Sequence, residues 1–224
     1  MDRGASRGLR AALLPGLALL ALPGCGDERG AAAGAPAAAV RVEAEGCGDR
    51  ALVGGGAFVG LHRVVTVAHV VAGSSDVDVT LADGTELDAS VVAIDRGKDL
   101  ALLAVDADVS PLPFGRMRPG ATGTFVVERK GEFVAQPFTA EAFVSISADD
   151  IDHLGTGIRK GFRLRADVER GDSGSVLVRN GEAVGVVFAR SDSVDGTAWA
   201  TDIREVSPLL RDATDLPVDV GACP

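Results

Sequence analysis

Three short segments of this 224-residue chain carry side chains that could act together on a carbonyl carbon. Thr66-Val67-Ala68-His69 ends an apolar run in an imidazole, and Asp99-Leu100-Ala101-Leu102-Leu103 opens another with a carboxylate. Gly171-Asp172-Ser173-Gly174-Ser175 sets a hydroxyl among glycines ahead of a third. A serine hydroxyl is a poor nucleophile at neutral pH and needs an imidazole to take its proton as it attacks. The imidazole in turn needs a buried carboxylate to fix its tautomer and stabilise its cationic form. The oxyanion that results needs donors aimed at it, and the small Gly171 and Gly174 let the Gly171 and Ser173 N–H groups converge. Each segment alone has an ordinary reading: a packed histidine, a strand-edge charge, a turn. Together they point to acyl transfer with Ser173 as nucleophile, His69 as general base and Asp99 as its orienting group. His62 and His153 lack such a context and read as surface residues. The G-x-S-x-G elbow is excluded, because position 175 is Ser and no βαβ alternation surrounds it.

The elements that must position these groups are strands. From Ala51 onward, short apolar runs alternate with turn signals about every ten residues, the cadence of an antiparallel sandwich or barrel. Asp83-Gly84 and Asn180-Gly181 are tight-turn signals, the second the clearest hairpin in the chain. Pro111 and Pro113 separate two such series, which predicts an all-β fold of two tandem antiparallel barrels, about 46–110 and 115–205. IREVSPLLR at 203–211 reads as a short closing helix with Pro208 inside it, followed by a tail to residue 224.

The formal charge is -10. Asp2 against Arg3, Arg7 and Arg10 makes residues 1–24 net positive, so the remainder is more acidic still. With no Lys/Arg stripe to offset that, nucleic acid is not an expected partner. The apolar run AALLPGLALLAL after those arginines is short of the roughly 20 residues that span a bilayer and fits a signal peptide over 1–24. Leu22-Pro23-Gly24-Cys25 resembles a bacterial lipobox, so Cys25 is a candidate lipidation site and membrane anchor; an ordinary secretory signal is the alternative. Residues 25–45, rich in Ala and Gly, read as a flexible tether ahead of a domain over 46–224. Outside a reducing cytosol the remaining Cys47 and Cys223 are expected to pair. Their spacing, with no nearby His, lacks a zinc pattern, and the chemistry described calls for no metal or cofactor.

The order His69, Asp99, Ser173 and the motifs TVAH, DLALL and GDSGS resemble those of trypsin-like, chymotrypsin-fold serine peptidases, and the spacings resemble their compact bacterial branch, including HtrA-like proteins. RVVTVAHVVAGSSDV, RADVERGDSGS and EAVGVVFA, bracketed by Cys47 and Cys223, look like the MarP-type envelope-anchored periplasmic proteases. The resemblance implies a serine endopeptidase of protein or peptide substrates; the leader implies export to the extracytoplasmic side, and a monomer is expected. Ser175 and Val176 depart from the family's second Gly and Pro. In trypsin itself a carboxylate at the place of Asp172 pairs with a new N-terminus; here Arg163 or Arg165 is an expected substitute, with backbone N–H groups as the alternative. By the same resemblance Asp167 is the floor of the specificity pocket and Arg190 its opposite wall. Either Asp167 is open and selects Arg or Lys, or Arg190 pairs with it and small apolar residues are preferred. A catalytically idle binding module and a protease that cuts only its own tether are the competing readings.

Overall fold

The computed structural model describes Met1 and residues 37–151 and 155–223. Signal peptide, Cys25, most of the tether and His153 lie outside the described residues. Among the described residues, twelve strands form two closed barrels in tandem. The first contains β1 (Ala39–Glu45), β2 (Leu52–Gly60), β3 (Arg63–Thr66), β4 (Asp76–Leu81), β5 (Glu86–Asp95) and β6 (Leu100–Val105), ordered β1-β2-β3-β6-β5-β4. The second contains β7 (Thr122–Arg129), β8 (Glu132–Asp149), β9 (Thr156–Ala166), β10 (Val176–Arg179), β11 (Glu182–Arg190) and β12 (Thr197–Asp202), ordered β10-β11-β12-β9-β8-β7. The chain is thus all-β with two barrels, as the turn cadence predicts, and chymotrypsin-like, as the family resemblance implies.

One boundary differs from the sequence reading. The tether expected to reach residue 45 instead ends in β1, whose alternating residues Val40, Val42 and Ala44 are buried. β1 pairs with β2 on one edge and β4 on the other, so it closes the first barrel. Its small side chains merge with the preceding Ala/Gly-rich composition, but the period-2 burial is that of a half-buried strand.

Closure removes free sheet edges, and the interiors are filled by Phe58, Val64 and Leu102 in one barrel and Phe125, Phe162 and Leu177 in the other. Val126, Val176, Val178 and Val186 of the second barrel pack into the first barrel's cluster, which docks the two together. Asn180 and Gly181 both take positive φ, 52° and 76°, the requirement of a two-residue hairpin turn between β10 and β11. Lys130 and Gly131 do the same between β7 and β8, a turn that an unremarkable Lys-Gly pair does not advertise. After β12 comes a 3-10 turn (Ile203–Glu205) and a helix, Val206–Asp212. Pro208 falls in that helix's first turn, where a missing N–H costs nothing.

Candidate active site

His69 sits on α1 (Ala68–Val71), a single turn continuing from the end of β3. Asp99 lies immediately before β6, which is three strands on from β3 in sequence but its direct neighbour in the barrel. Neighbouring strands therefore bring the two together. His69 Nδ1 lies 2.8 Å from Asp99 Oδ2, and the His69 backbone N–H donates to Asp99 Oδ1 at 2.9 Å. Asp99 is only 2% exposed and takes φ of 57°, a left-handed conformation that Asp tolerates better than most residues. Burial of the carboxylate and partial exposure of the imidazole are what a proton acceptor at a cleft requires.

Ser173 belongs to the other barrel, on the turn between β9 and β10. Gly171 and Gly174 both have positive φ, 95° and 94°, so the backbone reverses twice around Ser173. The Gly174 N–H donates to the Val187 carbonyl at 2.7 Å and the Ser175 N–H to Asp172 O at 3.0 Å. Among the described residues the Gly171 and Ser173 backbone N–H groups have no internal hydrogen-bond acceptor. The loop is seated on the first barrel through Gly55, whose N–H donates to Ser173 O at 2.8 Å. Methyl groups at Gly54 and Gly55 would overlap the Ser173 carbonyl and Ser175, and one at Gly56 the Val65 carbonyl, which explains the glycine run of β2. Ser175, at the family's second Gly, is fully buried against that run.

Asp172 is fully buried, and its partner is neither Arg163 nor Arg165. Those two lie on the outer face of β9 and both bind Glu141, whose carboxyl they hold below the usual carboxylate range, the Arg165 hydrogen bond foremost. Arg129, at the end of β7, grips Asp172 instead: Nη1 to Oδ1 at 2.6 Å and Nη2 to Oδ2 at 2.8 Å. This bidentate bond raises the guanidinium pKa above its ordinary value. Asp172 Oδ2 also accepts the Glu169 N–H at 2.8 Å. Sequence reasoning missed Arg129 because nothing local marks it; its face and height follow from the β7–β8 turn.

Of the two pocket arrangements, the Asp167–Arg190 pair does not form. Both residues are exposed, and Arg190 pairs with Asp192 at 3.2 Å, an acid two residues along its own chain. Asp167 lines an open cavity of about 530 Å³ with Phe138, Ala166 and Gly196. Cys47 and Cys223 are bonded and bracket a separation of 176 residues, with Cα atoms 5.6 Å apart. His62 is a surface residue, as read, 3.9 Å from Asp106. Among the described residues no cluster of three or more His, Cys, Asp or Glu could hold a metal.

Two docked six-stranded barrels, with an imidazole–carboxylate pair on one and a Gly-flanked serine turn on the other, define the chymotrypsin-like peptidase class. A trypsin-like peptidase domain model matches residues 54–186, and the chain belongs to that family. Serine protease Rv3671c of Mycobacterium tuberculosis is 35% identical over 182 residues, 78% of this chain and 46% of that protein. A probable periplasmic serine endoprotease, DegP-like, of Bartonella henselae is 34% identical over 155 residues, 66% of this chain and 30% of that protein. The active-form crystal structure of the Rv3671c protease superposes with a TM-score of 0.77 at 33% identity, covering 95% of this chain and 99% of that one. The likeness to MarP-type and HtrA-like proteases implied by the motifs is therefore present, although the chain spans less than half the length of these curated relatives.

Proposed function

We propose that this protein is a serine endopeptidase in which Ser173 attacks the scissile carbonyl, His69 takes and returns the proton, and Asp99 orients the imidazole. The observation that carries this reading is the His69 Nδ1–Asp99 Oδ2 contact of 2.8 Å, opposite a serine turn with two unspent N–H donors. Attack would form an acyl-enzyme ester on Ser173 and expel the amine, which receives the His69 proton. Water, deprotonated by the same imidazole, would then release the acid. The negative oxygen formed in each step would be met by the Gly171 and Ser173 N–H groups.

The Arg129–Asp172 pair supports a serine turn that is ordered without cleavage of the chain, since an internal cation already occupies the carboxylate. The apolar leader with Cys25 behind it, and relatives described as periplasmic, support an exported protein held at the cell envelope by lipid on Cys25. A monomer acting on protein or peptide substrates completes the reading. Labelling with a fluorophosphonate probe tests the core of it: wild type is expected to be labelled on Ser173, and Ser173→Ala not at all. A properly folded wild type that resists the probe and cleaves no peptide would leave a binding module as the better description.

A further inference from the structure

β8 is 18 residues long, and its outer half pairs with β9 beyond the wall of the second barrel. This arm reaches the first barrel at the turn before β6. Gly157 lies so close to Gly97 that a methyl group on it would overlap the Gly97 carbonyl. One turn-facing side chain of the arm, Arg159, is only 6% exposed. Its Nη1 donates to Asp99 Oδ2 at 3.2 Å, its Nε to the Gly97 carbonyl at 3.3 Å, and its Nη2 to the Asp149 carbonyl at 3.2 Å. The guanidinium also lies 5.1 Å from the ring centroid of Phe188.

From this geometry we infer that Arg159 is a positioning residue for the proposed peptidase chemistry, delivered to Asp99 by the β8–β9 arm of the opposite barrel. The inference rests on the reading of His69, Asp99 and Ser173 given above. Asp99 Oδ2 serves two donors, the His69 ring and Arg159, while Oδ1 serves the His69 backbone. A carboxylate buried this far needs a compensating charge, and the imidazole supplies one only when protonated. Arg159 supplies a permanent one, in a planar fork whose other donors are fixed to backbone carbonyls. The plane of the carboxylate, and with it the direction in which the imidazole points, is thereby set from two sides. Because the donor and the acceptor belong to different barrels, the bond also ties barrel docking to imidazole alignment. Displacing the arm would loosen Asp99 without touching His69 or Ser173.

The test is steady-state cleavage of a fluorogenic peptide by the full chain, with Arg159→Gln and Arg159→Lys placed in wild-type and Asp99→Asn backgrounds. In the wild-type background Arg159→Gln is expected to lower kcat roughly 10–100-fold with KM within about twofold, and Arg159→Lys to recover part of that loss. In the Asp99→Asn background the same change is expected to cost less than about threefold, since the carboxylate it holds is gone. Gly157→Ala, which keeps the Arg159 side chain but pushes the arm that carries it from Gly97, is expected to reproduce the kcat loss; it decides the matter with Arg159→Lys if Arg159→Gln does not fold. An unchanged kcat in Arg159→Gln, or an equal loss in both backgrounds, overturns the positioning role. Failure of the underlying chemistry is distinguishable: then Ser173→Ala retains turnover, or Asp99→Asn matches wild type.

Discussion

Arg129 binds both carboxylate oxygens of Asp172, at 2.6 and 2.8 Å, from the end of a strand 43 residues away in the chain. The pair anchors the residue beside Ser173 to the wall of the second barrel. Removing the cation leaves a fully buried charge behind, which is far worse than removing both. Arg129→Gln is expected to destabilise the domain by about 3 kcal/mol, read as a Tm drop of roughly 6–12 °C by thermal unfolding. Asp172→Asn is expected to cost less, and the double variant no more than Arg129→Gln alone. A wild-type Tm in Arg129→Gln would show that the pair does not hold the serine turn.

If His69, Asp99 and Ser173 act as one device, their losses do not add. Ser173→Ala and His69→Ala are each expected to abolish turnover with the fold intact by circular dichroism, and the double variant to cost little more. Asp99→Asn is expected to lower kcat by around 10⁴, because an amide favours the wrong imidazole tautomer. Additive losses would mean that the three do not share a mechanism.

β1 gives the domain a start earlier than its composition suggests. A chain beginning at residue 37 is expected to fold and react with the fluorophosphonate probe. One beginning at 46 lacks the strand that joins β2 to β4, with buried Val40 and Val42, and is expected to show neither a cooperative melt nor labelling.

The Cys47–Cys223 bond ties the C-terminal tail to the loop between β1 and β2, and the tail is also held by the turn after α1, where the Gly73 N–H donates to the Val220 carbonyl at 3.0 Å. Digestion without reductant is expected to yield one linked pair of peptides from exported protein. On the chain-entropy model a loop of this size contributes about 5 kcal/mol, so reduction is expected to lower Tm by roughly 10 °C or more. Below the new melting point kcat is expected to change little, as neither Cys is placed to touch substrate. Free thiols at both positions would remove the clasp.

Asp167 stands open, whereas Arg190 is engaged by Asp192. Of the two arrangements considered, this leaves the carboxylate available to a basic side chain. Substrates with Arg or Lys before the cut are expected to lead a peptide-library profile by a few-fold, a modest margin because solvent screens an exposed carboxylate. Asp167→Ser is expected to erase that margin and spare apolar substrates, while Arg190→Gly leaves it in place. A profile unchanged by Asp167→Ser would put this residue outside the pocket.

Residue types and local order determined much by themselves. Period-2 apolar runs with Gly-rich turns can satisfy their backbone only as a β-fold, and Asn180-Gly181 permits the positive φ a tight hairpin demands. His69 and Asp99 meet because β3 and β6 are neighbours, a pairing already implied by the family likeness of their motifs. Which cation serves which carboxylate was decided only by the tertiary structure. Burial along β9 alternates until Gly161 and Phe162, both buried, shift its phase; Arg159 therefore faces inward while Arg163 and Arg165 face out. Strand alternation alone would place all three on one face. Arg129 and Arg159 reach their partners across 43 and 60 residues of chain, distances closed by turn geometry and barrel docking. Charge pairing depends on a few ångströms and on which way a side chain points, and local composition carries neither.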